Sequence, residues 1–258
     1  MLQEIIAHKR QEVSDRIRQM PLAEVRRRAQ DMPRPRPFLA ALRGPRIRLI
    51  AEVKGASPSA GVIRERFDPA ALARAYEQGG ASAISVLTDA RYFNGADDHL
   101  QEIREAVTLP VLRKDFVIDA YQVYEARMLG ADAVLLIAGI LDPGALRDLY
   151  GLATDLGLSA LVEVHSAQEL SRVLEMKVSL VGINNRNLDT LHTSVDVTRR
   201  LRPLIPPEVT VVAESGLEER AQVEEMERLG VHAVLVGTAL MRAADPAGRI
   251  RELLGIRD

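Results

Sequence analysis

The chain repeats one local pattern eight times between Arg48 and Thr238. Short apolar runs occur at RLIAEVK (48–54), ASAISVLTD (81–89), LPVLRKD (109–115), ADAVLLIA (131–138), LSALVEVH (158–165), SLVGINN (179–185), VTVVAESG (209–216) and VHAVLVGT (231–238). Between them lie amphipathic stretches of ten or more residues, such as PAALARAYEQGG and LEERAQVEEMERLG, many ending in Gly as helices commonly do. The junctions QGGASAISVL, LGADAVLLIA, LGLSALVEVH and LGVHAVLVGT share a Gly, a small or polar pair and then an apolar strand. Such self-similarity marks a repeat architecture. Strands apolar on both faces and separated by helices require parallel neighbours. Eight such units in about 210 residues predict an α/β fold, a single closed (β/α)8 TIM barrel. A doubly wound open sheet is the competing arrangement. It would carry a Gly-rich fingerprint after the first strand, and EVKGASPSAG contains no G-x-G-x-x-G.

Residues 1–47 stand outside the repeat. Leu2, Ile5, Ile6, Val13 and Ile17 recur at helical spacing and predict a helix over residues 2–30. MPRPRP (32–37) ends it, because repeated Pro cannot continue a helix, and Phe38–Leu42 fits one short turn. The expected organisation is an N-terminal helical extension, 1–47, packed on a barrel of 48–258. With 34 basic against 36 acidic residues, the charge balance argues against a nucleic-acid partner. No apolar run approaches the ~20 residues of a membrane span, and the start lacks a signal peptide's apolar core. The absence of cysteine excludes disulfides, thiolate metal sites and a thiol nucleophile, and fits a cytoplasmic protein. The five histidines show no ligand spacing, so no metal is expected. Arg26–Arg28 reads as a solvated helix face.

Barrel chemistry gathers at the C-terminal strand ends. Here those ends carry Glu52 and Lys54, Thr88 and Asp89, Lys114 and Asp115, Glu163, Asn184 and Arg186, Glu214 to Gly216, and Gly237 with Thr238. Period 2 puts Glu52 and Lys54 on one side of the first strand. A structural ion pair is the plain alternative to function, but Lys114 and Glu163 end apolar runs as well. Two lysines and two carboxylates suit acid–base work at a carbonyl, with lysine either a proton donor or a Schiff-base nucleophile. Only four of the 34 basic residues are lysines, at 9, 54, 114 and 177. Arginine cannot exchange a proton near neutrality, so Lys→Arg should cost activity at 54 and 114 and be nearly silent at 9 and 177.

AESGL and LVGTAL end the seventh and eighth runs, where barrels commonly bind phosphate; ordinary turn chemistry is the alternative. Lys54 and Ser57 add a charge and a hydroxyl nearby. The loop from Ser57 to about Phe67, studded by Arg64 and Arg66, reads as either a lid or a solvated loop. In RYFNG (91–95), Tyr92 and Phe93 offer rings for stacking, or for packing the loop. His165 is placed either at the mouth or, more simply, in a supporting or solvent-facing role.

The motifs AEVKGASPSAG, SVLTDARYFNG, LPVLRKDFVID, LVEVH, GINNRNL, AESGL and VLVGTALM run in order from residue 51 to 241. Together they resemble the indole-3-glycerol phosphate synthase family, and the N-terminal helix fits that family's extension. The resemblance implies ring closure, decarboxylation and dehydration of 1-(2-carboxyphenylamino)-1-deoxyribulose 5-phosphate, without a cofactor. It implies Lys114 as general acid at the ketone and Glu163 in proton transfer during hydroxyl loss, held by Asn184. Lys54 would bind the carboxylate or assist dehydration, and Glu52 would position it. Ser57, Gly216, Gly237 and Thr238 would hold phosphate. Arg186, Glu214 and Ser215 match substrate-site positions, and Phe93, Phe116, Leu135 and Leu188 would wall the ring. Gly55 and Ala60 stand where the family often has Lys or Arg, and Thr238 where Ser is common. The extension would pack across the catalytic mouth. The partner is then a phosphorylated small molecule, with no nucleic acid or membrane, and the chain a monomer or at most a weak dimer. A class I aldolase or phosphosugar isomerase using Lys114, and a non-catalytic phospholigand-binding barrel, are the alternatives.

Overall fold

A residue whose neighbours on both sides are strands, with helices outside and side chains inside, has no route to water. That is the condition of the eight apolar runs in the computed structural model, which describes residues 2–57, 61–62, 67–188 and 190–256. They form β1 (Arg48–Val53), β2 (Ala83–Leu87), β3 (Val111–Lys114), β4 (Ala133–Ile137), β5 (Ser159–Val164), β6 (Leu180–Asn184), β7 (Thr210–Glu214) and β8 (Ala233–Val236). Each strand pairs in parallel with its sequence neighbours. β8 pairs back onto β1, with Arg48 opposite Ala233 and Ala51 opposite Val236, so the sheet closes. The fold is a (β/α)8 barrel.

Alternation divides every strand between two cores. Ile50, Leu112, Leu135, Leu161, Val212 and Leu235 meet inside the barrel. Leu49, Val134, Val162, Val181, Val211 and Val234 face the surrounding helices. Those helices are α4 (Pro69–Gly79), α6 (Asp97–Ala106), α7 (Ala120–Met128), α8 (Pro143–Asp155), α9 (Ala167–Glu175), α10 (Asp196–Leu201), α11 (Arg220–Arg228) and α13 (Pro246–Leu254). Short turns α5 (Ala90–Phe93) and α12 (Thr238–Arg242) follow β2 and β8. Asp68, Asp142 and Asp245 cap α4, α8 and α13, each with Pro in the next position, where its missing N–H costs nothing. The repeated Gly of the helix–strand junctions is needed for a left-handed turn, as at Gly130 (φ 88°) and Gly230 (φ 77°).

The N-terminal segment departs from the expected single helix. It forms α1 (Leu2–Gln19) and α2 (Leu22–Asp31), split at Pro21, followed by α3 (Phe38–Ala41). Pro21 has no N–H and biases Met20 away from helical backbone. The carbonyls of Arg16 and Met20 each accept from the Tyr121 hydroxyl at 3.2 Å. MPRPRP is extended and strapped to the barrel. Arg127 donates to the carbonyls of Met32 and Pro33, and Arg36 to those of Leu109 and Arg104. Arg43 bonds Thr210 at the start of β7, so α3 closes the N-terminal end, with Phe38 and Leu42 joining the inner core.

Asp132 sits fully buried just before β4 and gathers the strap and barrel at one carboxylate. It accepts from the Arg36 backbone N–H at 2.6 Å, the Val111 N–H at 2.8 Å and the Arg104 guanidinium at 2.8 Å. Asp132→Ala is expected to lower unfolding free energy by about 3–5 kcal/mol, because it strands those donors in the interior. Denaturant midpoints measure this; a loss below about 1 kcal/mol would show that the carboxylate is dispensable.

Candidate active site

The inward phase that fills the barrel with Ile50, Leu112, Leu161 and Val212 continues, two residues on, to Glu52, Lys114, Glu163 and Glu214. The same alternation carries Lys54, Asn184 and Gly237 to the mouth. Buried charges at this position must be paired, and they are. The Lys54 ammonium donates to Glu52 Oε1 at 2.7 Å. Lys114 Nζ lies 3.4 Å from Glu52 Oε2 and 2.8 Å from Glu214 Oε2. One chain of alternating charge thus links β1, β3 and β7 across the mouth.

Burial favours the neutral form of Lys114, but Glu214, Glu52 and Glu163 outweigh it and hold the amine well above its ordinary value. Burial also opposes the Glu52 carboxylate, yet Lys54 and Lys114 hold it below the usual range. Glu214 goes the other way: burial pushes it up against the pull of Lys114, with Glu163 adding to the push. Glu163 is held low despite burial, by His165, Lys114 and Asn184. His165 Nε2 stands 3.2 Å from Glu163 Oε1, an ion-pair contact rather than an aligned hydrogen bond, and Nδ1 stands 3.5 Å from Glu169 Oε2. Burial opposes the imidazolium, but Glu163 and Glu169 lift His165 to about 10. The mouth therefore holds an ammonium at Lys114 and a carboxylate at Glu163.

A cavity of about 260 Å³ opens above these groups. Glu52, Lys54, Lys114, Glu163 and Asn184 line it, together with Arg186. Ser215, Gly216, Gly237 and Thr238 line it from the ends of β7 and β8. Phe93 and Phe116, beyond β2 and β3, and Leu135, within β4, come from the opposite side, and Leu188 from beyond β6. The Phe93 and Phe116 rings are 6.2 Å apart. Tyr92 instead packs edge-on to His8. Ser215 adopts a left-handed φ of 65°, strain of a kind that concentrates at functional turns. A Cβ at Gly237 would collide with the Glu52 carboxylate and approach Lys54 Nζ.

Glu214 departs from its expected position. It is fully buried beneath the cavity as the partner of Lys114, and does not line the wall. Ser57 lies in a short hairpin, Ala56–Ser57 with Gly61–Val62, but its side chain, Ala60, Arg64 and Arg66 lie outside the described residues. Gly55 sits against Asn94, with only 3.1 Å between a built Cβ and the Asn94 amide nitrogen.

Sequence reasoning missed several parts of the site. Leu2 and Ile5 of α1 line the cavity; the resemblance implied an extension across the mouth, but the spacing of these two residues signalled only a packed helix face. Gly182, in mid-strand, leaves the space that the Glu214 carboxylate occupies; a Gly inside a strand run is the available signal. Lys9 was expected to be replaceable by Arg. It is 1% exposed and surrounded by three carboxylates at 2.8–2.9 Å, a socket for a compact ammonium. Lys177 is exposed, just past α9, with a left-handed φ of 56°.

Residues 2–253 match the family described as indole-3-glycerol phosphate synthase. An indole-3-glycerol phosphate synthase of Dehalococcoides mccartyi is 49% identical over 258 residues, covering 98% of this chain and all of that protein. The chain belongs to the indole-3-glycerol phosphate synthase family. It is a carboxy-lyase of tryptophan biosynthesis, which converts 1-(2-carboxyphenylamino)-1-deoxyribulose 5-phosphate to indole-3-glycerol phosphate. Among solved structures, 3-hexulose-6-phosphate synthase of Salmonella typhimurium matches with a TM-score of 0.67 at 16% identity, over 81% of this chain and 97% of that one. A tryptophan synthase α-subunit of Pyrococcus furiosus matches with a TM-score of 0.61 at 17% identity, over 81% and 98%. At such identities these two show the shared barrel alone. No helix among the described residues is long and apolar enough to cross a membrane.

Because folding raises the His165 pKa from 6.5 towards 10, its ion pairs contribute fully below about pH 6.5 and fade as pH rises towards 10. The stability difference between this chain and His165→Asn should therefore be largest near pH 6 and shrink towards pH 10, by denaturant titration at each pH. A difference independent of pH would mean the imidazolium does not anchor Glu163.

Proposed function

We propose that the synthase reaction runs with Lys114 as the acid and Glu163 as the base, between a phosphate seat at β7 and β8 and a ring pocket across the mouth. The observation that carries this is the place of Lys114. Its ammonium is held between Glu214 and Glu52 and lines the cavity whose wall also carries the β7 and β8 residues and the two phenyl rings.

The order of bond changes follows from those positions. The substrate's phosphate lies against Ser215, Gly216, Gly237 and Thr238. Its ring lies among Phe93, Phe116, Leu135 and Leu188. Seating both ends brings the carboxylate-bearing ring carbon against the ketone, which removes most of the entropic barrier to closure. As that carbon–carbon bond forms, Lys114 gives its proton to the ketone oxygen. Carbon dioxide then leaves, its bonding electrons restore the aromatic ring, and nitrogen becomes neutral. Lys54 and Arg186 face the carboxylate until it departs, and Glu52 holds Lys54 in line. In dehydration the hydroxyl leaves as water with a proton from Lys54, and Glu163, held ionised by His165 and steadied by Asn184, accepts the carbon-bound proton. Glu214 acts through Lys114 and keeps its ammonium in place.

A Schiff-base route needs a neutral amine at Lys114, and three carboxylates oppose that. The extension 1–47 and the barrel 48–258 act as one unit. Large exposed apolar side chains among the described residues, Ile17, Leu204 and Ile256, are scattered, which supports a monomer. A phosphorylated intermediate crosses membranes poorly, which supports a cytoplasmic place.

Indole fluorescence should grow when the carboxyphenylamino substrate is added. Lys114→Ala should cut turnover by about 10²–10⁴-fold while affinity for a reduced, non-cyclising substrate analogue stays within about tenfold. Turnover near the parent's, or borohydride trapping of substrate on Lys114, would refute this assignment. Lys54→Arg and Lys114→Arg should both lose activity, because a larger, planar guanidinium cannot take the place of an ammonium beside Glu52 and Glu214.

A further inference from the structure

Lys9 belongs to α1, outside the barrel repeat, yet it lies in one of the most enclosed ionic sites of the molecule. Its ammonium donates to Glu12 Oε2 at 2.8 Å and makes ion-pair contacts with Asp115 Oδ1 at 2.8 Å and Asp89 Oδ2 at 2.9 Å. The two aspartates are fixed in turn. Asp115 Oδ2 accepts from the Thr88 hydroxyl at 2.9 Å, and Asp115 Oδ1 from the Phe116 N–H at 2.7 Å. Asp89 Oδ1 accepts from the Tyr92 N–H at 2.8 Å and so caps α5. Behind Asp115, Arg113 is shared among Asp97, Glu125 and Asp115, and Arg16 of α1 reaches Glu125 and Glu12.

The position of these aspartates in the chain gives the cluster its meaning. Asp115 stands between Lys114 and Phe116. Asp89 opens the turn that ends in Phe93. One ammonium therefore joins the segments that carry the acid and both phenyl walls, while Leu2 and Ile5 of the same helix line the cavity. A purely structural anchor for α1 had other places available, since Tyr121, Val13 and Val25 already hold the helix and its neighbour from the other side.

We propose that Lys9 is a positioning residue of the active site, pinning the ends of β2 and β3 beneath α1 and thereby setting the separation of Phe93 and Phe116 and the place of Lys114. Among the described residues, no hydrogen bond or ion pair joins Lys9, Asp89 or Asp115 to Ser215, Gly216, Gly237 or Thr238 at β7 and β8. Misplacement therefore falls on the ring end of the substrate and on the proton transfer, and spares the phosphate end. Arg does not replace Lys here, because a larger, planar guanidinium does not fit where three carboxylates converge on one compact ammonium. The inference rests on the ring pocket and acid assigned above.

The test compares the full-length parent with Lys9→Met and Lys9→Arg. Three quantities are measured: affinity for inorganic phosphate, affinity for the reduced substrate analogue, and kcat and KM. The expected result for both variants is phosphate affinity within about twofold, analogue affinity weakened about tenfold or more, and kcat/KM reduced about 10²-fold, the scale of an ångström-sized misplacement. Activity within about threefold of the parent in either variant overturns the proposal. So does an equal weakening of phosphate and analogue, which marks general loosening. If Lys9→Met does not fold, Asp89→Asn takes its place: it keeps the acceptor for the Tyr92 N–H and deletes one charge at Lys9. The same ring-selective loss is expected, and unchanged analogue affinity overturns the proposal. Lys114→Ala separates the two readings. If it is inactive while Lys9→Met is active, only this inference falls; if Lys114→Ala is active, the acid assignment falls.

Discussion

Closing eight parallel strands on themselves removes every sheet edge and leaves each strand residue facing either helix or barrel interior. Neither environment tolerates an unpaired charge. Ionic groups can then stand only where the strands end, and only in contact with one another. The pairing of Lys114 with Glu214 and Glu52 follows from that constraint, and so does the pairing of Glu52 with Lys54. The chemistry is a consequence of how the barrel disposes of its charges: Lys114 is kept charged by carboxylates that the fold cannot otherwise accommodate.

The same constraint separates the roles of the three carboxylates. Glu52 sits between two lysines, Glu163 beside an imidazole, and Glu214 deep against one lysine with other carboxylates near. One residue type thus performs three tasks, distinguished by burial and neighbours. Glycines supply the space. Without a side chain at Gly182 and Gly237, the carboxylates of Glu214 and Glu52 fit against strands that would otherwise exclude them.

Much of the site was legible because strand periodicity is strict. Once Ile50, Leu161 and Val212 are assigned inward, Glu52, Glu163 and Glu214 must follow two residues later. The ring of polar strand ends could be read from eight short runs for that reason. Residues that act from outside the repeat could not be read so. Helical spacing showed that Leu2 and Ile5 face something apolar, without saying that it was the cavity. His165 had two plausible surroundings until Glu163 and Glu169 were seen on either side of it. Pro21 was visible in the sequence, but the apolar spacing on both sides of it favoured one helix over two.

Sequence by itself determined the barrel, the order of its strands and the groups at its mouth, because period-2 and helical patterns are local and eight repeats leave little freedom in assembling them. Tertiary structure alone decided what each charge touches. Lysine is scarce in this chain, yet scarcity does not distinguish an exposed Lys177 from a Lys9 enclosed by Glu12, Asp89 and Asp115. Those partners lie 80 and 106 residues away along the chain, apart from Glu12. No local pattern encodes such a contact; it exists only once the helix has been laid across the closed barrel.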